Sequence, residues 1–130
     1  MLNLYNLGIT DEELLELLEQ NNKVIKLTEE DLLISINILK NIGCNDLQIK
    51  DIIITNPWYL TRSYDDTINL INKLTEIGIK NLNNLFDNYP LLLNKDDFEI
   101  QEFVDKCLKN NMDKNDIIDI IENNPYMIGE

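Results

Sequence analysis

The sequence predicts an all-α solenoid, and three observations carry that prediction. The three prolines of the 130-residue chain, Pro57, Pro90 and Pro125, stand 33 and 35 residues apart. Each closes an apolar stripe with helical spacing: Ile49, Ile52 and Ile53; Leu82, Leu85 and Phe86; Ile117, Ile120 and Ile121. Three glycines, Gly8, Gly43 and Gly78, recur at intervals of 35 residues. A fixed period of this size marks stacked repeats, in which each unit needs a neighbour to cover its apolar face. The expected architecture is about three three-helix repeats of 33–35 residues, 28–62, 63–95 and 96–130, behind a partial repeat at 1–27, all in one domain.

The first long helix of each repeat opens at a side-chain cap: Thr28 with Asp31, Ser63 with Asp66, Asp96 with Glu99. At that spacing the cap oxygen accepts from the third helical N–H while the third side chain reaches back to the cap. Ile36, Ile71 and Val104, then Leu39, Leu74 and Cys107, are its inner positions. It stops at Gly43, Gly78 and, in the last repeat, Asn111, where closure requires a positive φ; Gly8 does the same for the partial repeat. The second helix starts at Thr10 with Glu13, Asn45 with Gln48, and Asp113 with Asp116; the repeat at 63–95 is two residues shorter there and lacks a cap. In the partial repeat its stripe is Leu14, Leu17 and Leu18.

The proline then ends the second helix, because the residue before it is pushed out of the α region. A proline also fits the first position of a new helix. Trp58-Tyr59-Leu60, Leu91-Leu92-Leu93 and Tyr126-Met127-Ile128 form the expected short third helix, with Asn56 or Asn124 as its cap.

Composition narrows the chemistry. Histidine is absent, which removes Ser-His-Asp and Cys-His pairs, imidazole acid-base work and the commonest zinc ligand. Cys44 and Cys107 have no C-x-x-C spacing and are expected as reduced core residues. Asp65-Asp66 and Asp96-Asp97 each open a helix, as capping residues do, and no EF-hand spacing is present. No enzyme, metal site or cofactor is expected. The opening, Met1 to Gly8, lacks the basic end and apolar stretch of a signal peptide, and no apolar run is long enough to span a bilayer, so a cytoplasmic protein is expected.

The net charge of −13 repels polyanions. It divides unevenly: −5 over 1–30, 0 over 31–63, −2 over 64–96 and −6 over 97–130. Arg62 and Lys95 each follow a proline by five residues and form the one candidate pair of nucleic-acid contacts; Glu130 is next in that column. Trp58, Tyr59, Tyr89 and Tyr126 gather at the proline junctions, where core packing between repeats is the first expectation. Trp58, Tyr59, Tyr126 and Met127 are the candidate interface anchors should an edge be exposed. The last repeat has no neighbour after Pro125, which makes it a surface for self-association or docking.

One family shares this unit. Ile42-Gly43, Ile49-x-x-Ile52-Ile53 and Asn56-Pro57-Trp58-Tyr59-Leu60, repeated from Ile77-Gly78 to Leu93 and more weakly from Asn111 to Ile128, resemble the repeat of the mitochondrial transcription termination factor (mTERF) family. A degenerate copy covers residues 4–27, where Asn22 and Lys23 occupy the proline region. The resemblance implies three-helix units stacked into a curved solenoid, and nucleic-acid binding along a basic concave face to control transcription or RNA processing. The acidity of this chain and its single arginine point elsewhere. The expected function is a non-enzymatic binding module that meets a protein partner, basic or itself nucleic-acid-binding, through an acidic surface, possible mimicry of nucleic acid included. The alternative is a compact mTERF-like regulator that binds DNA or RNA through Arg62, Lys95 and neighbouring lysines.

Overall fold

Helix after helix follows the sequence period in the computed structural model, which describes residues 1–129. The long helices are α1 (Leu2–Asn6), α2 (Asp11–Gln20), α3 (Glu29–Asn41), α4 (Asp46–Thr55), α5 (Tyr64–Ile77), α6 (Leu82–Asn88), α7 (Asp97–Lys109) and α8 (Lys114–Asn123). Four short 3₁₀ turns make the corners after each even-numbered helix: Asn22–Lys26, Pro57–Thr61, Pro90–Asn94 and Pro125–Met127. No strand is present among the described residues. The chain is an all-α helical repeat.

The local signals act where the sequence places them. Glu13 N–H donates to Thr10 Oγ1 at 3.2 Å and Thr10 N–H to Glu13 Oε1 at 2.9 Å. Asn45 with Gln48 and Asp113 with Asp116 close the same reciprocal box, as does Thr28 with Asp31. At α6, Asn81 makes no side-chain cap bond, and that helix is only seven residues long. Gly8, Gly43 and Gly78 have φ of +93°, +102° and +117°, and Asn111 takes the same role at +63°.

Packing follows from the stripes. Ile49, Ile52 and Ile53 of α4 are fully buried against α6 and the corner turns on either side of it, and Phe86 is fully buried in its turn. Leu18 and Ile120 lie only half-buried, at the margin of their stripes. Among the odd-numbered helices, α1 packs on α3 and α5 packs closely on α7. α3 and α5 make little backbone contact, and a groove runs between them. Val104 is half-buried where Ile36 and Ile71 are buried, because no further odd-numbered helix follows α7 among the described residues.

One expectation is corrected here. Asn56 does not cap the turn that follows it, and neither does Asn124. The Asn56 amide instead reaches across to the next corner, where the Pro90 carbonyl and Asn94 accept from it.

Candidate interaction surface

The corners are tied to one another by side-chain amides. Asn21 Nδ2 donates to the Pro57 carbonyl at 3.1 Å and to Thr61 Oγ1 at 2.9 Å. One repeat later, Asn56 Nδ2 donates to the Pro90 carbonyl at 3.0 Å and to Asn94 Oδ1 at 3.0 Å. The ladder stops there, since Tyr89 holds the corresponding place before Pro90 and has no amide to offer. Asn124 is left to accept from the Tyr126 hydroxyl in its own turn.

With the prolines buried, the residue after each one faces out. Trp58 is 46 % exposed, Leu91 41 % and Tyr126 52 %. Core packing was the expectation for Trp58 and Tyr126, and it is corrected: the 3₁₀ turn directs the position after each proline outward and the next one inward. The inward position holds Tyr59, 1 % exposed, whose hydroxyl donates to the Ser35 carbonyl at 2.7 Å. Burial holds its phenol well above the usual range. Tyr59 is therefore a core residue and no interface anchor. Met127, at the same position of the last corner, is 42 % exposed, whereas Ile128 is buried.

Arg62 and Lys95 end successive corners, as expected, but the structure employs both internally. Arg62 Nη2 donates to the Lys95 carbonyl at 2.6 Å, to Asp96 Oδ1 at 3.1 Å and to the Asp66 carbonyl at 3.3 Å, and its side chain is 11 % exposed. It joins the end of one corner to the start of α5 and of α7. Lys95 pairs with Glu99, one turn on, at 3.7 Å. The third residue of the expected column, Glu130, lies outside the described residues.

Two residues that the sequence reading passed over complete the edge: Leu91, and Lys23 at the equivalent place in the proline-less first corner. The signal that could have found them is the same period, read one position past each proline. Lys23 and Trp58 line a polar cleft of about 300 Å³ together with Glu19, Gln20, Asn22 and Thr61. The corner edge is thus an aromatic and aliphatic ridge with a cation at its first step.

Both cysteines are free and buried. Burial, and secondarily the charge of Asp87, pushes the Cys44 thiol up to about 11, and Cys107 is raised by burial as well. Among the described residues, no three His, Cys, Asp or Glu side chains gather as metal ligands, and no helix is long and apolar enough to cross a membrane.

No curated protein and no solved structure matches the chain. The family model of mTERF matches residues 1–130, from end to end. The match covers the whole chain and does not rest on one motif. The chain belongs to the mTERF family.

Proposed function

We propose that this chain is a non-enzymatic binding module of the mTERF family, a single cytoplasmic domain that regulates by docking to a protein partner through an acidic surface. The observation that carries the choice of partner is the fate of Arg62. A phosphate contact needs a free cation at the surface, and this guanidinium is already held by two carbonyls and a carboxylate inside the stack. Lys95 is paired, and the chain as a whole carries −13. Strong nucleic-acid binders make roughly 6–10 phosphate contacts. Exposed aromatic and aliphatic side chains at Trp58, Leu91, Tyr126 and Met127 are instead the type of group that anchors protein interfaces.

A second reading has its own support. The mTERF family is one of nucleic-acid-binding regulators, and the Trp58 cleft sets an indole beside Lys23, the pairing that single-strand binders use for stacking and charge. Titration with short single-stranded and duplex DNA and RNA at about 50 mM salt separates the two, because the electrostatic term is then strongest. Absence of binding, with a basic protein retained on the immobilised chain, is the expected result. Salt-sensitive binding abolished by Lys23→Glu or Trp58→Ala overturns the protein-partner reading. Sedimentation at rising concentration tests self-association through Tyr126 and Met127.

A further inference from the structure

The odd-numbered helices do not stack evenly. Between α3 and α5 the gap holds three adjoining cavities of about 250, 310 and 460 Å³ that share lining residues. Ile34 and Ile38 of α3, with Ile42 at its C-cap, face Tyr64, Ile68 and Ile71 of α5 along it. Ile38 and Ile71 form a nearly buried floor, while Ile34 at 45 % and Tyr64 at 57 % exposure form the rims. Elsewhere in this column α5 closes onto α7, so the opening belongs to this one junction.

The charges around the groove are also arranged. Asp31 lines its first end, and the first turns of the two flanking helices carry exposed Glu30 on α3 and exposed Asp65 on α5. Arg62 lines the same end but is bound internally. Lys80 lines the far end. The middle is apolar apart from Asn37 and Asn41.

We propose that the α3–α5 groove is a docking site for an amphipathic helix of a partner protein, one that carries Lys or Arg at the end lying over Glu30, Asp31 and Asp65. From Ile34 to Ile42, the residue that closes α3, the groove spans eight helical steps, about 12 Å, or a little over two turns. A helix laid there inserts side chains at i, i+4 and i+7 between the isoleucines, which is how helix-in-groove recognition works. Charge complementarity selects the occupant: an acidic end accepts a basic segment, and a second copy would bring −13 against −13 and the same acids against one another. The inference rests on the protein-partner reading and assigns that partner a place.

The test uses the full chain and a labelled synthetic helix of about 14 residues, four turns, with Leu at i, i+4, i+7 and i+11 and three Lys at one end. Fluorescence anisotropy is expected to show saturable binding to the wild type. Ile34→Glu should weaken it at least about tenfold, and so should a peptide with Glu in place of Lys. Circular dichroism checks that the variant stays folded, as expected for a side chain 45 % exposed. Leu15→Glu, which removes a still more exposed apolar side chain on α2, outside the groove, should leave the affinity unchanged. No binding to the wild type, or equal loss in Ile34→Glu and Leu15→Glu, overturns the assignment. So does a dimer in sedimentation that Ile34→Glu dissolves, which gives the groove to a second copy. Nucleic-acid binding at low salt sinks the protein-partner reading instead, whereas a protein retained equally by wild type and Ile34→Glu sinks the groove alone.

Discussion

Asn56→Ala tests the amide ladder that joins the corners. The side chain is fully buried, and its Nδ2 donates at 3.0 Å both to the Pro90 carbonyl and to Asn94 Oδ1. The first bond is buried and contributes about 1–1.5 kcal/mol; the second ends on an exposed residue and contributes about 0.5 kcal/mol. Truncation also opens a small void at a site with no solvent access, costing about 1 kcal/mol more. Against this, Asn56 Oδ1 is buried without a hydrogen-bond partner, so its removal returns about 1 kcal/mol. The net loss is about 2 kcal/mol, or roughly 6 °C in Tm for a chain of this length. Asn124→Ala is the internal control, since its side chain is bonded within its own turn to the Tyr126 hydroxyl; it should cost less than about 0.5 kcal/mol. Urea denaturation followed by circular dichroism gives both values with one slope. If the two variants melt together, the ladder does not hold the corners and the assigned bonds contribute nothing net.

Three further outcomes follow from the same contacts. Arg62→Ala should lower stability by about 1–2 kcal/mol, a figure discounted because Asp96 is 40 % exposed, and Arg62→Lys should recover only part, because the shorter side chain does not carry its nitrogen to the place of Nη2; Lys95→Ala should stay within about 0.5 kcal/mol in the same melts. Ile53→Asp places a carboxylate at a fully buried position and should abolish the cooperative thermal transition, whereas Lys50→Asp should cost no more than about 1 kcal/mol, through loss of the 3.3 Å pair with Glu13 and the repulsion that replaces it; equal melting of the two contradicts the register. Acid should weaken the fold through Glu13 and Glu29. The Thr10 N–H lowers the first carboxyl, and the terminal amine of Met1, with the Asn3 and Leu2 amides, lowers the second. A lowered folded value means that their contribution is complete above the ordinary 4.5 and fades as pH falls below it. Tm measured from pH 6 to pH 3 should therefore hold level and then drop. Glu13→Gln together with Glu29→Gln should flatten that drop, and an unchanged profile refutes the assignment.

The mTERF fold and the chemistry of this member pull in different directions, and the resolution lies at the corners. A guanidinium and two amides link the first three corners to one another. Arg62 Nη2 donates within the stack to two carbonyls and one carboxylate. The ladder lapses at Tyr89, so the last corner relies on its buried proline and on Ile128 for its attachment.

What the sequence by itself determined is everything set by neighbours within one turn or one period. Caps three residues apart, glycines where φ must be positive, prolines that stop one helix and open another, and stripes at helical spacing are local, and Thr10, Gly43, Pro57 and Ile53 behave as their surroundings in the chain require. Tertiary structure decided what depends on distances between repeats. Whether Trp58 or Tyr59 faces solvent turns on the direction of a five-residue 3₁₀ turn, which adjacent aromatic letters do not reveal. That Asn56 reaches the following corner, that Arg62 is held by residues some 33 positions away, and that α3 parts from α5 while α5 closes on α7 all follow from how rigid units seat on one another. A period states that units stack; the angle and gap at each junction come from side-chain volumes meeting in space, and those volumes decide which groups stay at the surface to bind.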